Sequence, residues 1–92
     1  MTITFHYMGQ LRQCAGVERE ERQCTDSASL NDALRNLAQS HNDDFINILF
    51  DDAGAMRSSV MLLLNETPVA KDDSPALRDG DEITLLSAIS GG

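Results

Sequence analysis

Apolar residues recur at every second position at the amino end of the chain. Ile3, Phe5 and Tyr7 follow this spacing within residues 2–8, and mostly polar residues separate them. A period of two is typical of a strand with one buried face. The pattern therefore predicts a strand over residues 2–8 that turns these three side chains toward the core.

A second strand is predicted shortly afterwards. Gly9 interrupts the alternation and Gly16 indicates a turn that brings the chain back. Residues 17–24 then suit a strand, although this segment is rich in charged side chains. Because charge along an edge discourages pairing with other chains, we expect this strand at an edge of the sheet.

Helical spacing is clearest over Ser29–His41. Ser29 is a suitable N-cap, and Asp32 lies three residues later as a weaker capping-box partner. Apolar residues then recur three and four positions apart, as on one helix stripe. A shorter helical segment is predicted from Asn42 through Leu49. The stripe of the main helix comprises Leu30, Ala33, Leu34, Leu37 and Ala38.

The second half of the chain predicts three further strands. Val60–Leu64 is apolar on both faces, so it should be central or expose an apolar face. Residues 65–69 predict a turn and a short strand in which Pro68 requires an edge or a strand start. A glycine turn precedes the last strand, residues 82–87. The order predicts an α+β fold, a mixed four- to five-stranded sheet with one main helix across one face and the first and last strands paired centrally.

Composition excludes several classes of function. The 92 residues suit a single domain, residues 1–92, with a flexible carboxyl-terminal tail over residues 87–92. A net charge of -8 argues against binding to nucleic acid or to an anionic membrane surface. The same charge would steer the protein toward a basic groove on a partner, or simply keep a small domain soluble. The longest apolar run is far too short to span a bilayer.

Cysteine and histidine placement predicts no metal site. Cys14 and Cys24 lack metal-ligand spacing, and hairpin geometry would separate them by roughly 20 Å. We therefore expect two free thiols and, with no secretory signal visible at the start, a reducing cytoplasmic setting. His6 and His41 have no acidic or thiol partner at ligand spacing, so we expect two solvated histidines.

Gly91-Gly92 occupies the last two positions of the sequence. Since glycine has no Cβ, a tail with this tip can enter a narrow site and place its carboxylate there. A frayed terminus with no role is the alternative. Three local patterns accompany the tip: residues 10–12 with Gly16, residues 65–69, and residues 77–83.

Taken together, these patterns resemble the MoaD/ThiS family of ubiquitin-like β-grasp sulfur carriers, and within it the small subunits of molybdopterin synthase. Such subunits often carry two prolines before the tail, where this chain has Ser87 and Ala88. The departure implies a less rigid tail and leaves the pathway open.

The resemblance implies a carrier that is not an enzyme on its own and binds no cofactor. An E1-like enzyme of the MoeB/ThiF type would use ATP to adenylate the Gly92 carboxylate, next to Gly91, and sulfur would then displace AMP to leave a thiocarboxylate. The large subunit of molybdopterin synthase (MoaE type) would receive the sulfur within a heterotetramer. Alternatives are a carrier for thiamine thiazole, cysteine or another sulfur metabolite, a ubiquitin-like protein modifier, and a plain interaction module.

A docking surface can be predicted from strand parity. Met8 and Leu86 should point away from the core, together with either Met61 or Leu63. Exposed apolar patches often mark interaction sites, and in the family this surface meets partner enzymes; residues 43–57 could instead cover part of it. Arg12 either bridges to a partner or lies in a solvated loop. The full set of candidate partner-binding residues is Met8, Arg12, Met61, Leu63, Pro68, Leu86, Ile89 and Ser90.

Overall fold

A computed structural model describes residues 1–70 and 73–87 of the chain. Its five strands form one sheet in the order β2-β1-β5-β3-β4. The strands are β1 (Thr2–Gly9), β2 (Arg19–Gln23), β3 (Val60–Leu64), β4 (Thr67–Val69) and β5 (Glu82–Ser87). The helices are α1 (Gln10–Ala15), α2 (Leu30–Gln39) and α3 (Asp43–Leu49).

Pairing within the sheet confirms the predicted mixed arrangement. β1 and β5 are parallel neighbours at the centre, whereas the β1–β2, β3–β4 and β3–β5 pairs are antiparallel. The charged strand β2 lies at one edge, as expected from its composition. The other edge is β4, which contains Pro68 in a position where the missing N–H is tolerated.

One face of the sheet and the helices enclose the core. Ile3, Phe5 and Tyr7 of β1 are buried, as are Ile83 and Leu85 of β5. All five apolar residues predicted for the stripe of α2 belong to the same buried cluster. The alternation in the sequence therefore predicted correctly which side chains face inward.

Side chains of the preceding residues cap the two longer helices. The Ser29 side chain accepts a hydrogen bond from the Asp32 N–H while the Asp32 carboxylate accepts one from the Ser29 N–H, which completes the predicted capping box. At α3, the Asn42 side chain accepts from the Phe45 N–H at 2.9 Å. Both caps satisfy amide groups that have no partner within the helix.

Helix α1 was not predicted, because the sequence pattern indicated only a turn between Gly9 and Gly16. Gly9 has φ 62° and ψ −132°, and it ends β1 sharply enough for the helix to start at the next residue. Gly16 closes the helix in the left-handed conformation, with φ 77°. A six-residue helix with one buried residue, Leu11, is too short to display a period. The sheet is accordingly accompanied by three helices in the described residues, of which α2 is the longest.

Hydrogen bonds join two of the segments on which the family resemblance rests, residues 65–69 and residues 77–83. Asn65 and Glu66 both have positive φ, 49° and 75°, as a two-residue hairpin loop requires. The Asn65 side chain donates to Asp81 Oδ1 and accepts from the Glu82 N–H, both at 2.9 Å. Asp79 Oδ1 in turn accepts from the Thr2 N–H at 2.7 Å. The β3–β4 hairpin is thus tied to the start of β5 and to β1.

The last strand ends at Ser87, as predicted, so the first residue of the predicted tail belongs to the sheet. Ser87, which we assigned to the tail, pairs with Gly9 and Val60 in the sheet and is buried. Both cysteines are free and half-buried, as predicted. None of the helices in the described ranges is long and apolar enough to cross a membrane, and no cluster of three or more metal-ligating side chains occurs there.

Candidate docking face

The face of the sheet opposite the core carries three apolar side chains in one row. Met8 of β1 lies beside Leu86 of β5, and Leu86 lies beside Met61 of β3. Strand parity places all three on the side away from Phe5 and Leu85. We call these three residues the apolar row; they span the middle three strands of the sheet.

Exposure of the apolar row confirms the predicted patch. Met8 is 49% exposed and Met61 is 53% exposed, and Leu86 between them is half-buried. Residues 43–57 therefore do not cover the two methionines. α3 instead buries Phe45 and Leu49 in the core.

Leu63 and Pro68 extend the apolar surface toward the β4 edge. Leu63 lies opposite Pro68 and next to Thr84, on the same face as Met61. Leu63 is half-buried and Pro68 is exposed. Met61 and Leu63 therefore both lie on the outward face, and Met61 is the more exposed of the two.

Charged groups border the apolar row. His6 Nε2 lies 2.7 Å from Glu82 Oε1 on the same face. His6 thus has an acidic partner, contrary to our expectation, because the parallel pairing of β1 and β5 joins residues that are distant in sequence. A shallow groove beside the row is lined by further acidic residues, including Glu18 and Glu66.

Arg12 lies on helix α1, where we had placed a loop. Its Nη2 atom is 3.1 Å from Glu18 Oε1, and both side chains are more than half exposed. Such a surface pair contributes little to stability, so Arg12 stays free to exchange Glu18 for a carboxylate on a partner.

The carboxyl-terminal candidate residues follow β5, the strand that contains Leu86. β5 ends at Ser87, one residue after Leu86 of the apolar row. Six positions separate Leu86 from Gly92, a length of chain that reaches at most about 20 Å. Ile89, Ser90, Gly91 and Gly92 lie outside the described residues. A surface that contacts Gly92 would therefore lie within about 20 Å of Leu86.

A second cluster, on the core side of the sheet, was not predicted. Glu20 Oε1 accepts a hydrogen bond from the Tyr7 hydroxyl at 2.6 Å and lies 2.7 Å from His41 Nε2. The His41 ring stacks on Phe45 with 4.2 Å between ring centres. Only 12% of the His41 side chain is exposed, so the expectation of a solvated histidine was wrong. The register of the β1–β2 pair places Glu20 opposite Phe5 and thus on the inward face, which no local spacing within β2 signals.

The cluster alters two pKa values. Burial raises the pKa of Tyr7 above its usual range, and the hydrogen bond to Glu20 adds to this effect. Burial also acts to raise the pKa of Glu20, but the hydrogen bonds from Tyr7 and His41 outweigh it and lower that pKa below its ordinary value. The ionised carboxylate therefore ties the edge strand β2 to β1 and to His41, two residues beyond the end of α2.

Comparisons with known proteins extend over the whole chain. The model of the ThiS family matches residues 5–92. The molybdopterin synthase sulfur carrier subunit of Chlamydomonas reinhardtii is 27% identical over 92 residues, which cover all of both chains. The crystal structure of small archaeal modifier protein 1 (SAMP1) from Haloferax volcanii superimposes with a TM-score of 0.89 at 25% identity, again over all of both chains.

One further structure contains a partner chain. It is the complex of subunits 1 and 2 of the molybdopterin-converting factor from Helicobacter pylori, and it matches with a TM-score of 0.60 at 21% identity over the full length of both chains. The likeness to these solved structures confirms the ubiquitin-like β-grasp fold that the sequence patterns predicted.

Proposed function

Because the chain belongs to the ThiS family of ubiquitin-like sulfur carriers, we propose that it carries sulfur as a thiocarboxylate on Gly92. The observation that carries the proposal is the match of the family model through Gly92, together with the Gly91-Gly92 tip. The curated relative named as a sulfur carrier subunit aligns over its entire length and supports the same role. The proposal takes Gly92 as the carboxyl-terminal residue of the working protein.

The chemistry begins with activation of the carboxylate. A carboxylate is a poor electrophile, so one of its oxygens first attacks the α-phosphorus of ATP and pyrophosphate departs. Sulfide then attacks the acyl carbon, the bond to the phosphate oxygen breaks, and AMP leaves. The resulting thiocarboxylate is an anionic, soft nucleophile, which suits it to donate sulfur. An E1-like partner of the MoeB/ThiF type would bind ATP and supply the positioning, so the carrier itself needs no bound cofactor.

The client we propose is the large subunit of molybdopterin synthase, in a heterotetramer of two small and two large subunits. The partner seen in the Helicobacter pylori complex supports this choice, as does the name of the curated relative. The apolar row supplies a suitable contact surface, since Met8 and Met61 are half exposed and border the strand that leads to the glycines. Pro68, Leu63 and Arg12 would contribute around it.

The mass of the intact protein tests the carrier chemistry. We expect protein purified from its native organism to contain a fraction in which one oxygen is replaced by sulfur. A methionine sulfoxide adds nearly the same mass, so the increment must be localised to the carboxyl-terminal peptide. The matched control is a version that lacks Gly92, purified in parallel. If incubation with ATP, sulfide and cell extract leaves the carboxyl-terminal peptide unmodified, the proposal is wrong.

A protein modifier is the second candidate. The observation that favours it is the TM-score of 0.89 with a protein that is itself named a modifier. In that case Gly92 would be joined to lysines of target proteins, and immunoblots would show high-mass adducts that disappear when Gly92 is deleted.

A carrier for thiamine thiazole or cysteine would instead give the thiocarboxylate without stable binding to a molybdopterin synthase large subunit.

A further inference from the structure

We propose that Met8 and Met61 are preferred oxidation sites and that their conversion to sulfoxides turns off docking at the apolar row. The choice of docking partner rests on the proposed function, whereas the choice of oxidation sites does not. It commits to the molybdopterin synthase large subunit as the occupant of this surface. The oxidant is a hydroperoxide.

The register of the sheet places the two thioethers on either side of one leucine. Met8 and Met61 both pair with Leu86, from opposite directions. A partner surface that covers Leu86 must therefore also cover the neighbouring methionines. Any polar group created on either methionine would enter the same contact.

Met8 and Met61 are more exposed than the other methionines of the chain. The sequence has four methionines. Met8 and Met61 are about half exposed, whereas Met1 and Met56 are partly buried against the core. Since a hydroperoxide must reach the sulfur lone pair, the two residues of the apolar row should react first.

The two cysteines are less exposed than Met8 and Met61. Both are half-buried and pack against the core. Burial also raises the pKa of the Cys24 thiol, and the thiolate is the form that reacts. The accessible reducing sulfur in the described part of the chain is thus concentrated on the docking face.

The reaction transfers one oxygen atom. The thioether lone pair attacks the outer oxygen of the hydroperoxide, the O–O bond breaks, and the peroxide is reduced to an alcohol or water while sulfur is oxidised by two electrons. The sulfoxide is polar and accepts hydrogen bonds from water. An apolar partner surface that removes this water without replacing its hydrogen bonds loses affinity. A thiol-dependent methionine sulfoxide reductase would reverse the change.

The first test measures where oxygen is added. The full chain is treated with limiting hydrogen peroxide, then with dithiothreitol to restore thiols, and digested for mass spectrometry. We expect Met8 and Met61 to oxidise several-fold faster than Met1 and Met56. Equal rates at all four methionines would overturn the site assignment.

The second test measures the consequence for the surface. Retention on a hydrophobic-interaction column reports apolar surface without any partner, and it should fall on oxidation. The affinity for the large subunit from the same organism should fall by about tenfold or more. Treatment with methionine sulfoxide reductases A and B should restore both.

The double variant Met8→Leu/Met61→Leu provides the matched control. Compared with itself before treatment, it should show no change in retention or affinity, because neither position then carries a sulfur. An equal loss in this variant would assign the effect to Met1, Met56 or the cysteines and overturn the proposal. If the large subunit fails to bind even the reduced protein, the proposed client and the docking part of this proposal are both wrong, while the retention measurement still decides whether Met8 and Met61 are the sites at which oxidation removes apolar surface.

Discussion

Truncating the two methionines of the apolar row should weaken docking by an amount that the structure sets. Complete burial of a methionine side chain is worth about 1.5–3 kcal/mol. Met8 is 49% exposed and Met61 is 53% exposed, so about half of that stabilisation remains to be gained on docking. Each residue then contributes about 1 kcal/mol, and Met8→Ala/Met61→Ala should lose about 2 kcal/mol. At 1.4 kcal/mol per factor of ten, the dissociation constant should rise about 30-fold.

Isothermal titration calorimetry against the large subunit would measure this change. Ile46→Ala is the matched control, because Ile46 is a half-buried residue of α3 beside Phe50, on the helix-covered side of the sheet and thus opposite the apolar row. We expect this control to bind as the unmodified protein does. A thermal melt of each variant separates a loss of docking from a loss of folding.

The reasoning is refuted if the double variant folds and binds with unchanged affinity, since the apolar row would then lie outside the interface. It is also refuted if Ile46→Ala folds and loses as much affinity as the double variant. In that case the loss of any apolar side chain would have the same effect, and the row would have no special role.

Three further outcomes follow from other parts of the chain. Gly92→Ala should keep the thermal midpoint but lose sulfur acquisition, because a side chain would crowd the attacked carbonyl; normal thiocarboxylate formation by mass spectrometry would contradict this. Gly9→Ala should destabilise the fold by about 1–3 kcal/mol in urea unfolding, since only glycine tolerates φ 62° with ψ −132°; an unchanged midpoint would remove that strain argument. Glu20→Gln should destabilise the protein by about 1 kcal/mol at neutral pH, because the side chain is a quarter exposed and water competes for its hydrogen bonds. The folded-state pKa of Glu20 is lowered, so this difference should be present above the ordinary value of 4.5 and shrink as pH falls below it; a difference that grows in acid would show that the sign is wrong.

Local patterns were sufficient for most of the elements. The stripe of α2 and its capping box were predicted residue by residue, because a 3.6-residue period and a cap are properties of one short segment. The exposed positions of Met8, Met61 and Leu86 were likewise predictable, since side chains alternate between the faces of a strand whatever its neighbours are. Helix α1 was not predictable in this way, because six residues give too little periodicity.

Contacts between distant segments required the tertiary structure. Glu20 meets Tyr7 and His41 only because β2 folds back along β1, close to the segment between α2 and α3. His6 meets Glu82 across 76 positions of sequence for the same kind of reason. No local spacing signals either contact, since each depends on which strands are neighbours and on their register.

The sequence by itself determined the elements other than α1, the side of each strand that faces the core, and the glycine tip on which the proposed chemistry rests. Those features follow from backbone geometry over a few residues and from the residue types themselves. Only the tertiary structure decided that Met8, Leu86 and Met61 form one row, and that β5 leads from this row toward Gly92. Strand order and register are set by the packing of the entire core, so a surface assembled from three strands is a property of the folded chain alone.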